Sequence, residues 1–239
     1  MQNQASTYGM SKEQVAAENV RFMTGVYKWM SIGLMLTGIV AYYIGSDEAL
    51  VIQLLSNKLL FWGMIIAQFG AVIYLSARIK NMSAVTATGI YILYALLTGV
   101  TFSSIFLIYT RASIQSTFFL TAFSFAGLSM FGFLTKRDLG PVGTFCHMGL
   151  YGIIGFSIIS IFFPSMQGGQ FGMIISMAGV LVFAGLTAYD TQKIKASNII
   201  GNEGTAEDRK ETIMGALTLY LDFINLFLML LRLFGDRRR

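Results

Sequence analysis

The sequence predicts an all-α, polytopic membrane protein, and two observations carry that expectation. Of its 239 residues 55% are hydrophobic and only 12% are charged, about half the charge of an ordinary soluble domain. The deficit is also localised. Asp, Glu, Lys and Arg are absent from Trp29 to Ser46, Leu59 to Ala77, Asn81 to Thr110, Ala112 to Thr135 and Leu139 to Tyr189. A bilayer core takes about 20 apolar residues per helix, and the last of these runs is long enough for two spans.

Seven helices follow, at 27–45, 59–78, 83–109, 114–135, 142–163, 171–195 and 208–233. Leu139-Gly140-Pro141 starts the fifth, and Pro164-Ser-Met-Gln-Gly-Gly-Gln170 separates it from the sixth. Most connections are short; Ala196 to Arg209, with its Gly, Asn, Glu and Asp, is the one expected to enter water. Residues 1–26 read as a polar tail without a secretion signal, 27–235 as a single membrane domain, and 236–239 as a basic tail. No internal repeat points to an inverted-repeat transporter.

Basic residues set the expected orientation. The N-terminal side and the even-numbered loops carry Lys12, Arg21, Lys28, Arg78, Lys80, Lys136, Arg137, Lys193, Lys195, Arg209 and Lys210, whereas the odd-numbered loops carry Lys58 and Arg111. The N-terminus should therefore face the cytoplasm. Arg232 and Arg237-Arg238-Arg239 run against this pattern. Either the last helix crosses fully, which is the expectation taken here, or it is re-entrant and both termini share one side.

The most informative residue is Asp222, the sole formal charge between Thr212 and Leu231. A carboxylate at the centre of a membrane helix costs about 2.5–3.5 kcal/mol on insertion scales, so it should face protein or water. Asp190 closes the preceding apolar run. Gly215, Thr218, Asp222 and Asn225 share a helix face by their three- and four-residue spacing, as do Gly179, Thr187 and Asp190, and Tyr94, Thr98, Thr101 and Ser104 on the third helix. Two carboxylates about 4 Å apart repel by about 4 kcal/mol at an effective dielectric of about 20. A close pair therefore holds a proton between its members, unless Arg78 or a bound cation relieves it. Ca²⁺, a hard ion that takes carboxylate, carbonyl and water oxygens, suits such a cluster. In the competing account Asp190 is a solvated helix end and Asp222 a hydrogen-bonded structural acid.

Other chemistry finds little support. One cysteine, Cys146, and one histidine, His147, provide neither a disulfide nor a Cys/His metal cluster. As sequence neighbours they point to different helix faces and form no nucleophile–base pair. His147 reads as an interfacial or hydrogen-bonded side chain. Gly149, Gly152 and Gly155 read as packing positions. No Gly-x-Ser-x-Gly or His-Glu-x-x-His motif occurs. An intramembrane aspartyl protease is the one enzymatic alternative; Tyr189-Asp190 fits it, but Leu221-Asp222-Phe223 lacks the glycines.

At these residues the chain resembles the Bax inhibitor family, the transmembrane Bax-inhibitor-motif proteins, and in particular its bacterial inner-membrane members. The resemblance runs from about Tyr27 to Gly235. It rests on Leu97-Thr-Gly-Val-Thr-Phe-Ser-Ser-Ile-Phe106, Thr135-Lys-Arg-Asp138, Gly185-Leu-Thr-Ala-Tyr-Asp-Thr-Gln-Lys193 and Ala216-Leu-Thr-Leu-Tyr-Leu-Asp-Phe-Ile-Asn-Leu-Phe227. It implies six helices around a central seventh and a pH-sensitive calcium leak sensed by an aspartate pair, here Asp190 and Asp222. A basic residue ending the second helix partners that pair; Arg78 is the nearest match, with Lys80 its rival. Some relatives instead modulate a membrane protease.

The expectation is thus a multi-pass inner-membrane leak, not an enzyme, with Ca²⁺ and protons as its ions. Asp190 and Asp222 bind Ca²⁺ and gate, Arg78 tunes them, and Asn225, Thr218, Thr187, Thr98 and Thr101 line the path. No cofactor beyond the transported Ca²⁺ and no nucleic acid is expected. A non-conducting regulator of a membrane protease or of stress survival is the main alternative, and that protease is then the expected partner.

Overall fold

The computed structural model describes residues 10–163 and 169–238, so most of the expected break at 164–170 lies outside the described residues. The helices are α1 (Lys12–Gly45), α2 (Glu48–Ser56), α3 (Lys58–Arg78), α4 (Ala84–Phe102), α5 (Ile105–Ile108), α6 (Arg111–Leu134), α7 (Gly140–Phe162), α8 (Gly169–Ser197) and α9 (Ala206–Phe234). Polar caps decide where several begin. Ser11 and Gln14 close a capping box on α1, and Asp47, Asn57, Ser83 and Thr110 each accept an N–H from the first turn of α2, α3, α4 and α6. Pro141 sits in the first turn of α7, where its missing N–H costs nothing.

Among the described residues six stretches are long and apolar enough to cross a bilayer: α3 with the 3₁₀ turn after it, α4 with α5, α6, α7, α8 and α9. A seventh is counted when α1 and α2, bent by 102° at Ser46-Asp47, are taken as one span. The apolar window of α9 is 72% buried, against 11–39% in the other five. The last helix is therefore the central one, as expected.

The helices divide into two units, Met1–Ile108 with Ile194–Tyr220, and Tyr109–Lys193 with Leu221–Arg239. In the first, α1 packs along α4, and the ring of Tyr91 occupies the space a side chain at Gly33 would need. Tyr220, fully buried, meets Tyr91 and Tyr94 edge to face. Thr37 donates to the Ala95 carbonyl at 2.8 Å, so the Tyr220 hydroxyl, 2.7 Å away, donates to Thr37. In the second, Phe118 and Phe125 of α6 meet Phe223 of α9 edge to face. Cys146, Ile153, Val182, Phe183, Leu186, Leu226, Met229 and Leu230 form its buried apolar cluster.

Three features depart from the simple seven-rod expectation. Helix α1 starts at Lys12, within the segment read as a polar tail, because Glu18 and Asn19 are buried there in hydrogen bonds to Gly201 and Asn198. The third span breaks at Ser103-Ser104, whose hydroxyls bond the Val100 and Thr101 carbonyls at 2.6 and 2.7 Å and compete with helix continuation. The basic tail is tied down: Thr110 N–H donates to the Asp236 carbonyl at 3.0 Å, and Asp236 N–H donates to Ser113 Oγ at 2.9 Å. At its other end α9 reaches the turn after α3, where Lys210 donates to the Lys80 carbonyl. As one uninterrupted helix from Ala206 to Phe234, about 43 Å long at 1.5 Å per residue, α9 is long enough to cross a bilayer completely.

Candidate functional site

Helices α8 and α9 run antiparallel, and both acids lie in the second unit. Asp190 is 7% exposed and Asp222 5% exposed. Their carboxyl groups lie close enough to interact directly. A hydrogen bond between them needs a proton, because two carboxylates offer acceptors and no donor. The second oxygen of Asp222, Oδ2, is buried without a hydrogen-bond partner. The pair can meet because α9 begins long before Asp222: Ile194 of α8 stands against Gly215, well inside α9.

Two glycines let the neighbouring helices press onto α8 beside the pair. A Cβ on Gly132 of α6 would collide with the backbone of Ala188, and one on Gly143 of α7 would collide with the ring of Tyr189. Ser129 of α6 hydrogen-bonds Thr191 at 2.8 Å, which fixes the same face of α8. Of the three α7 glycines expected to pack, Gly149 meets Val182, while Gly152 and Gly155 have nothing within 4 Å.

The apolar cluster borders the pair on one side. Leu186 precedes Asp190 by four residues and Leu226 follows Asp222 by four, one helical turn in each case; both belong to the cluster and are 2% and 1% exposed. On the other side the fields of Lys193 and His147 reach Asp190. Lys193 Nζ lies 5.6 Å from the Tyr189 ring centroid. His147 Nδ1 is 2.7 Å from the Gly143 carbonyl, and its ring meets Tyr189 edge to face.

Among the expected site residues, Asp190 and Asp222 are brought together, with Thr187 about one turn from Asp190 and Asn225 about one turn from Asp222. Thr187 Oγ1 donates to the Phe183 carbonyl at 2.8 Å and Asn225 Nδ2 to the Leu221 carbonyl at 2.8 Å, so each spends a donor on its own helix. Thr98, Thr101, Thr218 and Arg78 belong to the first unit. Thr98, Thr101 and Thr218 likewise donate to carbonyls of their own helices, and Thr101 also accepts from Gln68. Arg78 ends α3, exposed. Among the described residues no three His, Cys, Asp or Glu groups converge to hold a metal, so Ca²⁺ at the aspartate pair would draw its remaining oxygens from backbone and water. Sequence reasoning passed over Lys193, although its spacing three residues after Asp190 marks the same face; nothing in the sequence places His147 there.

The model for "Inhibitor of apoptosis-promoting Bax1" matches residues 19–239. The inner membrane protein YbhL of Escherichia coli K12 is 48% identical over 218 residues, covering 91% of this chain and 92% of YbhL. An uncharacterized protein of Borreliella burgdorferi is 42% identical, covering 95% of this chain and 96% of its own. Protein RP147 of Rickettsia prowazekii is 40% identical, covering 95% of both. With a family match over nearly its whole length and relatives at this identity, the chain belongs to the Bax inhibitor family of multi-pass membrane proteins.

Proposed function

We propose that this protein is a proton-gated calcium leak of the inner membrane, with its N-terminus in the cytoplasm. The observation that supports it is the buried, adjacent carboxyl pair of Asp190 and Asp222 with one orphaned oxygen. With one proton the pair is held together and carries a single negative charge. When that proton leaves, two adjacent carboxylates repel and either part or take up a cation. Parting the acids moves α8 and α9 against each other and loosens the Leu186–Leu226 layer one turn away. Ca²⁺ is the cargo, met by carboxylate, carbonyl and water oxygens. Lys193 and His147 beside Asp190, together with Arg78, set the pH range. The protein acts as a conduit in the bilayer rather than as an enzyme.

Purified protein in liposomes loaded with a calcium dye tests this directly. Wild type should pass Ca²⁺ with a pH midpoint, and Asp190→Asn and Asp222→Asn should each alter both the flux and its pH dependence. Equal flux with an unmoved midpoint in both variants would end the proposal. Absence of flux, with the double variant fully active in cells alongside a co-purifying membrane protease, would favour the regulator instead.

A further inference from the structure

Tyr220 is fully buried and belongs to the first unit. Its hydroxyl, 2.7 Å from Thr37 Oγ1, donates to that oxygen, because Thr37 spends its own proton on the Ala95 carbonyl at 2.8 Å. The series Tyr220–Thr37–Ala95 thus ties α9 to α1 and α4. The receiving end is firm. Thr37 is 3% exposed, and a Cβ on Gly99 of α4 would collide with Val40 and with the Thr37 carbonyl. The Tyr91 ring fills the space beside Gly33, one helical turn before Thr37.

The other uncharged polar groups of α9 bind inward. Among the described residues Thr218 and Asn225 donate to carbonyls of α9 itself. In the run from Thr212 to Leu231, Tyr220 is therefore the uncharged side chain that hydrogen-bonds another helix. Apolar contacts tolerate a small turn of a helix about its axis, whereas a hydrogen bond weakens steeply with distance and angle. Two residues farther along, Asp222 stands about 200° round the same uninterrupted helix. A turn of α9 by about 20° would carry a carboxyl about 5 Å from the axis through about 2 Å, enough to separate it from Asp190.

We propose that Tyr220 is a positioning residue for the acid pair: its bond to Thr37 fixes the rotation of α9 at which Asp222 faces Asp190. The role rests on the shared proton of the proposed leak and adds the group that orients it. A phenylalanine at 220 would keep the edge-to-face contacts with Tyr91 and Tyr94 and lose the hold. Free to turn, α9 lets Asp222 leave Asp190 more readily. The pair then gives up its proton, and the path opens, at lower pH.

The test follows the proton directly in full-length protein in liposomes, through the infrared carbonyl stretch of the protonated pair. The band is taken as the difference between each protein and the same protein carrying Asp222→Asn, and calcium-dye flux is read alongside. Tyr220→Phe and Thr37→Val should each lower the pH midpoint of the band by about 0.5–1 pH unit, roughly a three- to tenfold loss of proton affinity. The double variant should go no further than either alone, since one bond is lost in all three. Thr37→Ser keeps the hydroxyl and should restore the wild-type midpoint. Tyr91→Phe removes a hydroxyl from the same aromatic group, the one that donates to the Trp29 carbonyl at 2.9 Å; it should lower the unfolding temperature and leave the midpoint in place. Lys193 and His147, whose fields reach Asp190, are intact in every variant. An unmoved midpoint in Tyr220→Phe or Thr37→Val, additive shifts in the double variant, or the same shift in Tyr91→Phe would overturn the proposal. Should Tyr220→Phe fail to fold, Thr37→Val decides alone. A band that moves as expected in a protein that passes no calcium would overturn the leak and leave the positioning role standing. Absence of the band from the wild type would overturn the shared proton, and this role with it.

Discussion

Leu186 and Leu226 belong to one buried apolar cluster, and each stands one helical turn from an acid of the Asp190–Asp222 pair. The carboxyls therefore have a dry border on the side toward Val182 and Leu230, and the polar side chains of Lys193 and His147 on the other.

That border should act as a seal. Leu226→Ala removes a side chain that is 1% exposed, and a buried Leu→Ala change costs about 2–5 kcal/mol. The expected outcome is a lower unfolding temperature and higher basal Ca²⁺ flux at pH values where wild type is closed. Flux in liposomes at matched protein density checks it; flux at the wild-type level in folded protein would remove the sealing role.

A hydrogen bond between the acids carries a separate expectation about stability. Asp222→Asn keeps a donor for Asp190 and should cost under about 1 kcal/mol, while Asp222→Ala strands a buried carboxyl and should cost about 1–3 kcal/mol. Thermal unfolding in detergent at neutral pH separates the two. Equal losses would mean that the bond contributes nothing.

Which cation tunes the pair is open to measurement. A positive charge nearby favours the ionised acids, so Lys193→Met should move the flux midpoint to higher pH, by roughly one pH unit or less at such range and screening. Arg78→Gln should do the same if Arg78 tunes, with Arg78→Lys giving a smaller shift because it loses the planar fork. A midpoint that moves for Lys193→Met and stays for Arg78→Gln assigns the role to Lys193 rather than Arg78.

Glycine substitutions test the packing around α8. Gly132→Ala drives a methyl into the Ala188 backbone and should destabilise by about 1–3 kcal/mol as an overpacked contact. Gly152→Ala has open space in front of it and should be neutral or stabilising by about 0.5–1 kcal/mol through helix propensity. Unfolding midpoints of both variants in one detergent give the comparison.

The spans and the acid pair were legible because their signals are local: long uncharged runs, and a single charge inside one of them. The caps at Asp47 and Thr110 were not used: the helix Glu48–Ser56 was not expected, and the span expected from 114 begins at Arg111. The start of α1 was not legible either, since its buried face between Lys12 and Tyr27 includes Glu18 and Asn19, which resemble tail residues until their partners at Gly201 and Asn198 are known. Nor could spacing distinguish Gly149, which meets Val182, from Gly152 and Gly155, which face open space. That difference belongs to the neighbouring helix. His147 was hidden for the same reason: its contact with Tyr189 joins α7 to α8.

The burial of α9 also sets an order of assembly. It is made after α1 to α8, yet its residues complete the core of both units, through Leu217, Leu219 and Tyr220 in one and Phe223, Leu226 and Leu230 in the other. Until it inserts, the earlier helices stand in the lipid with their inward faces uncovered and with Asp190 lacking its proton-sharing partner. A chain interrupted before Ala206 would present that unpaired acid to the bilayer, a mark by which an unfinished molecule differs chemically from a finished one.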